Sequence, residues 1–171
     1  MDLIFKPIDK RTDTSQFSCS ENDLNEYFRK YALSNHLNKI STCILVSFET
    51  SLVGFFCWSS CAVDKASIAA QDAKGLPRYP LPAIKIGRLA VDRNHTGKGI
   101  GGFILKHIFE KAIEYSKKDE YPAFSFLLVD AKTEKAKQWY LSYGFKSFLD
   151  KPESLYLPIK TLLKAIASPT K

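Results

Sequence analysis

Apolar residues along this chain fall into short blocks with two different spacings. Blocks rich in β-branched and aromatic residues, bounded by polar turns, predict strands at 2–8, 42–48, 52–58, 83–91 and 124–129. The short break Glu49-Thr50-Ser51 predicts a hairpin between the second and third of these. Apolar residues three or four apart predict helices instead. Leu24, Phe28, Tyr31 and Leu33 form one such stripe, after Ser20 and Asp23 in capping-box positions. Ile100, Phe103, Ile104, Ile108 and Ile113 give a long helix over 99–118 its apolar face. A helix over 133–142 stops at Gly144, placed as a C-cap, and 161–167 reads as a short tail helix. Residues 145–148 and 154–157 read as a closing strand pair. Three prolines within 77–82 exclude a regular element there and predict a stiff connector. The order is β-α-β-β-β-α-β-α-β, a mixed α/β layer structure in one domain over 1–171.

Composition narrows the class. A chain of 171 residues with 45% hydrophobic and 25% charged residues can bury a core without disulfides or metals. No run approaches the roughly 18 apolar residues of a membrane span, and the first residues lack a signal-peptide pattern. Cys19, Cys43, Cys57 and Cys61 read as single core thiols, with no Cys-x-x-Cys pair, and the three histidines are scattered. The expectation is a reduced, metal-free, cytoplasmic protein.

Chemistry concentrates in Gly87-Arg88-Leu89-Ala90-Val91-Asp92-Arg93-Asn94-His95-Thr96-Gly97-Lys98-Gly99-Ile100-Gly101-Gly102. A strand feeds a glycine-rich turn, which opens a helix. Free amides and the positive end of the helix dipole converge there, and missing Cβ atoms let a phosphate approach the main chain. That is an anion site built from backbone. The alternative is a tight turn that binds nothing. No Walker A string occurs. Gly97-x-Gly99-x-x-Gly102 satisfies the dinucleotide fingerprint, but three strands precede it and about 70 residues follow, too few for a second mononucleotide half.

Thr96-Gly97-Lys98-Gly99-Ile100-Gly101 resembles the acyl-CoA motif of the GNAT acyltransferase superfamily, Gln/Arg-x-x-Gly-x-Gly/Ala, with Thr96 departing at the first place. The stretch Thr133-Glu134-Lys135-Ala136-Lys137-Gln138-Trp139-Tyr140, with Gly144-Phe145, resembles the family's second signature, Asn-x-x-Ala-x-x-Phe-Tyr…Gly-Phe. Phe17-x-Cys19, the 76–82 segment, 87–92 and Val129-Asp130-Ala131 are similar to the tRNA-acetylating toxins of bacterial type II toxin–antitoxin modules.

The resemblance implies a single-domain GNAT fold, a mixed central sheet with a splayed parallel strand pair flanked by helices. It implies acetyl-CoA as co-substrate and no metal. Main-chain groups of Leu89, Ala90 and Val91 would pair with the pantetheine arm. Gly97, Lys98, Gly99, Ile100, Gly101 and Gly102 would hold the pyrophosphate, with Thr96 and Thr133 also on the cofactor side. Val91 N–H would meet the oxyanion. Tyr140 would be the general acid, since a phenol keeps its proton at neutral pH. Periodicity alone makes Tyr140 a core residue of an amphipathic helix. Asp92, Asp130 and Glu134 are the candidate bases, beside water, and His95 and His107 the candidate proton relays.

Charge bears on the acceptor. Residues 74–118 hold ten Lys or Arg and three acids, the whole of the net charge of +7. Arg78, Lys85, Arg88 and Arg93 are the expected RNA contacts, with Arg29, Lys30 and Lys39 as further candidates. The partners implied are an aminoacyl-tRNA substrate, a cognate ribbon-helix-helix antitoxin and, as one assembly, a homodimer, with no membrane. A housekeeping N-acetyltransferase for a small amine or a protein is the alternative, although no acidic cluster lies near the motifs to draw a cationic amine. A CoA-sensing regulatory module is the non-enzymatic alternative, and the intact Tyr140 motif weighs against it.

Overall fold

The computed structural model describes residues 2–167, which form two compact units. The first comprises residues up to 59 together with 86–108, the second residues 60–85 and those from 109 onward.

In the first unit, strands β1 (Leu3–Pro7), β2 (Thr42–Phe48) and the early part of β3 (Ser51–Val63) pair antiparallel in chain order. The hairpin is tighter than expected. Phe48 pairs with Ser51, and Glu49 takes a φ of 54° to close the two-residue turn. Helix α1 (Asn22–Lys30) packs Phe28 flat on Phe55 at 4.3 Å, and Phe17 meets both rings edge-on. Leu24 and Leu33 support this cluster, but Tyr31 is 51% exposed and leaves the stripe, because α1 breaks at Tyr31 before α2 (Ala32–Leu37) begins. Ser20 does not cap α1. The cap position is Glu21 with no side-chain bond, and Asn25 fastens the entry instead. Its Oδ1 accepts from Cys19 N at 2.7 Å and its Nδ2 donates to Cys19 O at 3.0 Å.

Cys43 and Cys57 are free, buried thiols, as expected, and are also register partners across β2 and β3. Cys43 N donates to His36 and Cys43 O accepts from Ile8 N, so both groups point away from β3. The two cysteines therefore form a non-hydrogen-bonded pair, where side chains approach closest. The facing sulfurs push the pKa of Cys43 up and that of Cys57 down.

Strand β4 (Leu81–Val91) and helix α4 (Ile100–Ser116) each run through both units. Ile100, Ile104, Leu105 and Ile108 of α4 are buried. Phe103 is 45% exposed and so is not on the apolar face the spacing suggested.

In the second unit β4 is followed in the sheet by β5 (Phe126–Asp130), then β7 (Ser154–Pro158), then the short β6 (Lys146–Ser147). Strands β4 and β5 are the parallel pair, and β7 pairs antiparallel with β5 and with β6. The hydrogen-bonded order of all seven strands is β1-β2-β3-β4-β5-β7-β6. This is the expected mixed α/β sheet. The proline segment corrects the sequence reading at its end, since Leu81 and Pro82 already belong to β4. Pro82 offers no N–H, but its carbonyl accepts from Ser125 N at 2.8 Å. Helices α3 (Ala70–Ala73), α5 (Glu134–Ser142) and α6 (Ile159–Ala167) complete the unit. Its core gathers Val63, Ile68, Leu81, Phe126, Phe148 and Tyr156. Among the described residues no helix is long and apolar enough to cross a membrane.

Candidate active site

The first unit carries the glycine loop. Asp92 N donates to Val53 O of β3 at 2.9 Å, so strand alternation turns Val91 N–H to the opposite edge of β4. Gly54 of β3 permits this approach. A Cβ there would sit 2.8 Å from Ala90 O and 3.0 Å from Ile104 Cδ1, so no larger residue fits without displacing β4 or α4. Sequence reasoning passed over Gly54, although an isolated glycine in a strand run signals a close approach.

Beyond Val91 the buried Asp92 organises the turn. Its carboxylate accepts from Ser18 N at 3.0 Å and Asn94 N at 2.9 Å. Burial alone would raise its pKa, but these bonds and nearby His95 outweigh it and hold the carboxyl below the ordinary range. Asp92 is thereby a structural anchor and a poor base. Thr96 Oγ1 donates back to Asp92 O at 3.3 Å. Gly97 and Gly99 take φ of 83° and 78°, conformations that strain any residue with a Cβ. The chain then enters α4, where Phe103 N donates to Gly99 O at 3.2 Å. The amides of Gly97 through Gly102 find no acceptor among the described residues. That row of free N–H groups at the start of a 17-residue helix fits an anionic phosphate.

The second unit carries Tyr140. Thr133 opens α5 as its N-cap, its Oγ1 accepting from Ala136 N at 3.1 Å, so the hydroxyl expected on the cofactor side caps the helix. Two turns on, Tyr140 is 7% exposed and wedged edge-on against Trp139 at 4.8 Å and Phe145 at 5.4 Å. Burial pushes its phenol pKa up, so it stays protonated through the physiological range. Its hydroxyl makes no hydrogen bond among the described residues.

The other candidates are largely engaged. Asp130 is ion-paired with Lys85 and accepts from Ser154 Oγ at 2.7 Å; Glu134 accepts from Gln138 Nε2 at 2.7 Å. His95 Nδ1 lies 3.6 Å from Asp92 and has no hydrogen-bond partner among the described residues, while His107 stacks on Phe5 at 3.7 Å. Of the four expected RNA contacts, Arg88 is stacked 4.5 Å over the Tyr27 ring, and Arg93 donates to Ser18 Oγ at 2.5 Å. Arg93 still borders an open basin of about 570 Å³ shared with Arg29 and Lys30. Lys85 is held by Asp130, and Arg78 is exposed with no partner among the described residues. No group of three or more His, Cys, Asp or Glu able to hold a metal occurs among the described residues.

Residues 41–147 match the family model described as an acetyltransferase (GNAT) domain, well over half of the chain. The chain belongs to the GNAT acetyltransferases. It is an N-acetyltransferase whose acetyl donor is acetyl-CoA. A curated relative, the tRNA-acetylating toxin of Mycobacterium tuberculosis (strain ATCC 25618 / H37Rv), is 30% identical over 148 residues, 86% of this chain and 87% of that protein. Among solved structures of this GNAT fold, AtaT complexed with acetyl-methionyl-tRNAfMet superposes with a TM-score of 0.87 at 24% identity, covering 98% of this chain and 100% of the other. AtaTR bound with AcCoA gives 0.82 at 25% identity, covering 96% and 98%.

Proposed function

We propose that this chain is a toxin that acetylates the α-amine of aminoacyl-tRNA and so blocks translation. The observation that carries the chemistry is Tyr140, a buried ring on α5 whose hydroxyl makes no hydrogen bond among the described residues and is not sealed off as a buried orphan. The kinship with a tRNA-acetylating toxin and the basic residues of 74–118 support the substrate. On this reading the two units are halves of one acetyltransferase domain, consistent with a family match that runs through both.

Acetyl-CoA supplies an activated thioester. The amides of Gly97 to Gly102 bind its pyrophosphate, with Thr96 and Thr133 shaping the turn and the helix start around the site. The main chain of Leu89, Ala90 and Val91 orients the pantetheine arm along the end of β4. A neutral amine attacks the acetyl carbonyl directly, Val91 N–H stabilises the oxygen that gains charge, and Tyr140 Oη hands its proton to the departing sulfur. With Asp92, Asp130 and Glu134 all engaged, the amine loses its proton to water. A toxin acting on the producing cell's own translation requires a cognate antitoxin, and we assign that partner to the ribbon-helix-helix class, with a cytoplasmic homodimer as the toxin's assembly.

Purified protein with acetyl-CoA is expected to stop protein synthesis in a cell-free translation reaction. Mass spectrometry of the recovered tRNA should find N-acetylated aminoacyl ends. Tyr140→Phe should leave synthesis running. Full synthesis with the wild-type protein, together with acetyl transfer to a polyamine or a peptide, would establish the small-amine or protein acetyltransferase instead.

A further inference from the structure

The segment that enters β4 carries an aromatic residue with no evident structural duty. Tyr79 is 66% exposed. Three other tyrosines are exposed, but Tyr31 lies against Tyr27, Tyr121 against Tyr115 and Tyr143 against Trp139. Tyr79 has no ring neighbour or hydrogen bond among the described residues. A singly exposed tyrosine is ordinary on a protein surface; what sets this one apart is the backbone that holds it and the cation beside it.

The backbone around Tyr79 is held firmly. Gly75, with φ of 78°, turns the chain out of α3, and Leu76 N donates to Ala73 O at 3.1 Å. The ammonium of Lys65 donates to Leu76 O. Pro77 and Pro80 flank Arg78-Tyr79, fixing their own φ and restricting the residue before each to extended conformations. At the far end Pro82 O accepts from Ser125 N. A loop tied at both ends and stiffened by proline presents its tip at little entropic cost.

Beside Tyr79 stands Arg78, exposed and likewise unpartnered among the described residues. An aromatic face next to a free guanidinium, on a preorganised tip, matches a nucleobase and its phosphate better than an apolar peptide. The base must be unstacked to be reached, which means single-stranded RNA. We infer that Tyr79, with Arg78, forms a stacking platform for an unpaired nucleotide of the tRNA's single-stranded 3′ end. This inference rests on the aminoacyl-tRNA reading. It gives that substrate a recognition element that sees base planes, separate from the bulk positive charge.

The test compares two RNA hairpins that copy an acceptor stem, one ending in single-stranded CCA and one blunt, by fluorescence anisotropy with the full chain. Tyr79→Ala should weaken binding of the tailed hairpin about tenfold, within the range found for loss of one stacked base. Binding of the blunt hairpin should change less than about twofold. Tyr79→Trp should restore the tailed hairpin, because stacking needs a π-face and no hydroxyl. Unchanged melting temperatures confirm that the variants fold. Equal losses on both hairpins, no loss on either, or a loss confined to antitoxin binding overturns the inference. Acetyl transfer to full-length aminoacyl-tRNA separates the two levels. A wild-type chain that transfers while Tyr79→Ala matches wild-type RNA affinity overturns only the stacking role. A wild-type chain that transfers nothing removes the substrate reading and this inference with it.

Discussion

Tyr140 and Tyr156 stand in the same unit, both buried, and their hydroxyls have opposite fates. Tyr156 Oη donates to the Asp72 carboxylate at 2.9 Å and accepts from Ala69 N at 3.1 Å. It ties β7 to α3 and to the residue before it. Tyr140 Oη has nothing to hold among the described residues. The Tyr140 ring is buried, but its oxygen is not among the buried polar atoms left without a partner, so it stays open to solvent or a ligand rather than spent on the fold. The difference separates a phenol that holds structure from one available for proton transfer, a distinction that burial alone would not make.

The largest expected effect tests the Tyr140 side. Tyr140→Phe removes only the unbonded oxygen, so the contacts with Trp139 and Phe145 persist. Acetyl transfer should fall about 100-fold or more in kcat, the usual weight of a positioned general acid, while the urea midpoint stays where it was. A destabilised but active Tyr140→Phe protein would erase the distinction between the tyrosines. The pH profile sharpens it. Because burial raises the Tyr140 pKa, kcat/KM should rise as the acceptor amine loses its proton around pH 8 and show no falling limb up to about pH 10.

Next comes the carboxylate that Tyr156 serves. Burial would raise the Asp72 pKa, but Lys146 at 2.8 Å and the Tyr156 hydroxyl outweigh it and hold the carboxyl below its ordinary value of 3.8. A depressed folded-state pKa means stability that is present above the ordinary value and is lost as pH falls through the lowered one. Asp72→Asn should therefore cost about 2–3 kcal/mol at pH 7 and flatten the acid limb of stability below pH 4. Urea titrations from pH 2.5 to 7 measure both. Acetyl transfer per folded molecule should not change.

These contrasts also mark how far the sequence could be read. The strands, the glycine loop and α5 were legible because each depends on neighbours a few residues away: the apolar block along 42–48, positive-φ glycines at 97 and 99, Thr133 capping Ala136. Tyr140 was legible through its place in a spaced signature. Asp72 was not, since its partners lie 74 and 84 residues away. The same distance hid the bond between Asp92 and Ser18, whereas the alignment of Cys43 with Cys57 depended on the exact register of the hairpin. Tyr31 went wrong because the helix breaks there, which the spacing does not show. Phe103 went wrong because helical spacing places residues on a face but cannot say how wide the buried part of that face is. Arg88 looked like a free cation because stacking on Tyr27 of α1 leaves no mark in the local sequence.

The smallest expected effect is the most discriminating for the pair. Tyr156→Phe leaves the Lys146 bond to Asp72 in place and removes one donor to the carboxylate and one acceptor for Ala69 N. The loss should be about 1–2 kcal/mol, with kcat unchanged. Because both hydroxyl bonds belong to one connected group, the loss should not add to that of Asp72→Asn. In the double variant the carboxylate that Tyr156 served is already gone, so only the Ala69 contribution remains to be lost. A double variant less stable than either single one by the full sum would mean that Tyr156 and Asp72 act independently. Tyr156 would then be a packed ring like Tyr140, and the contrast between their hydroxyls would lose its structural half.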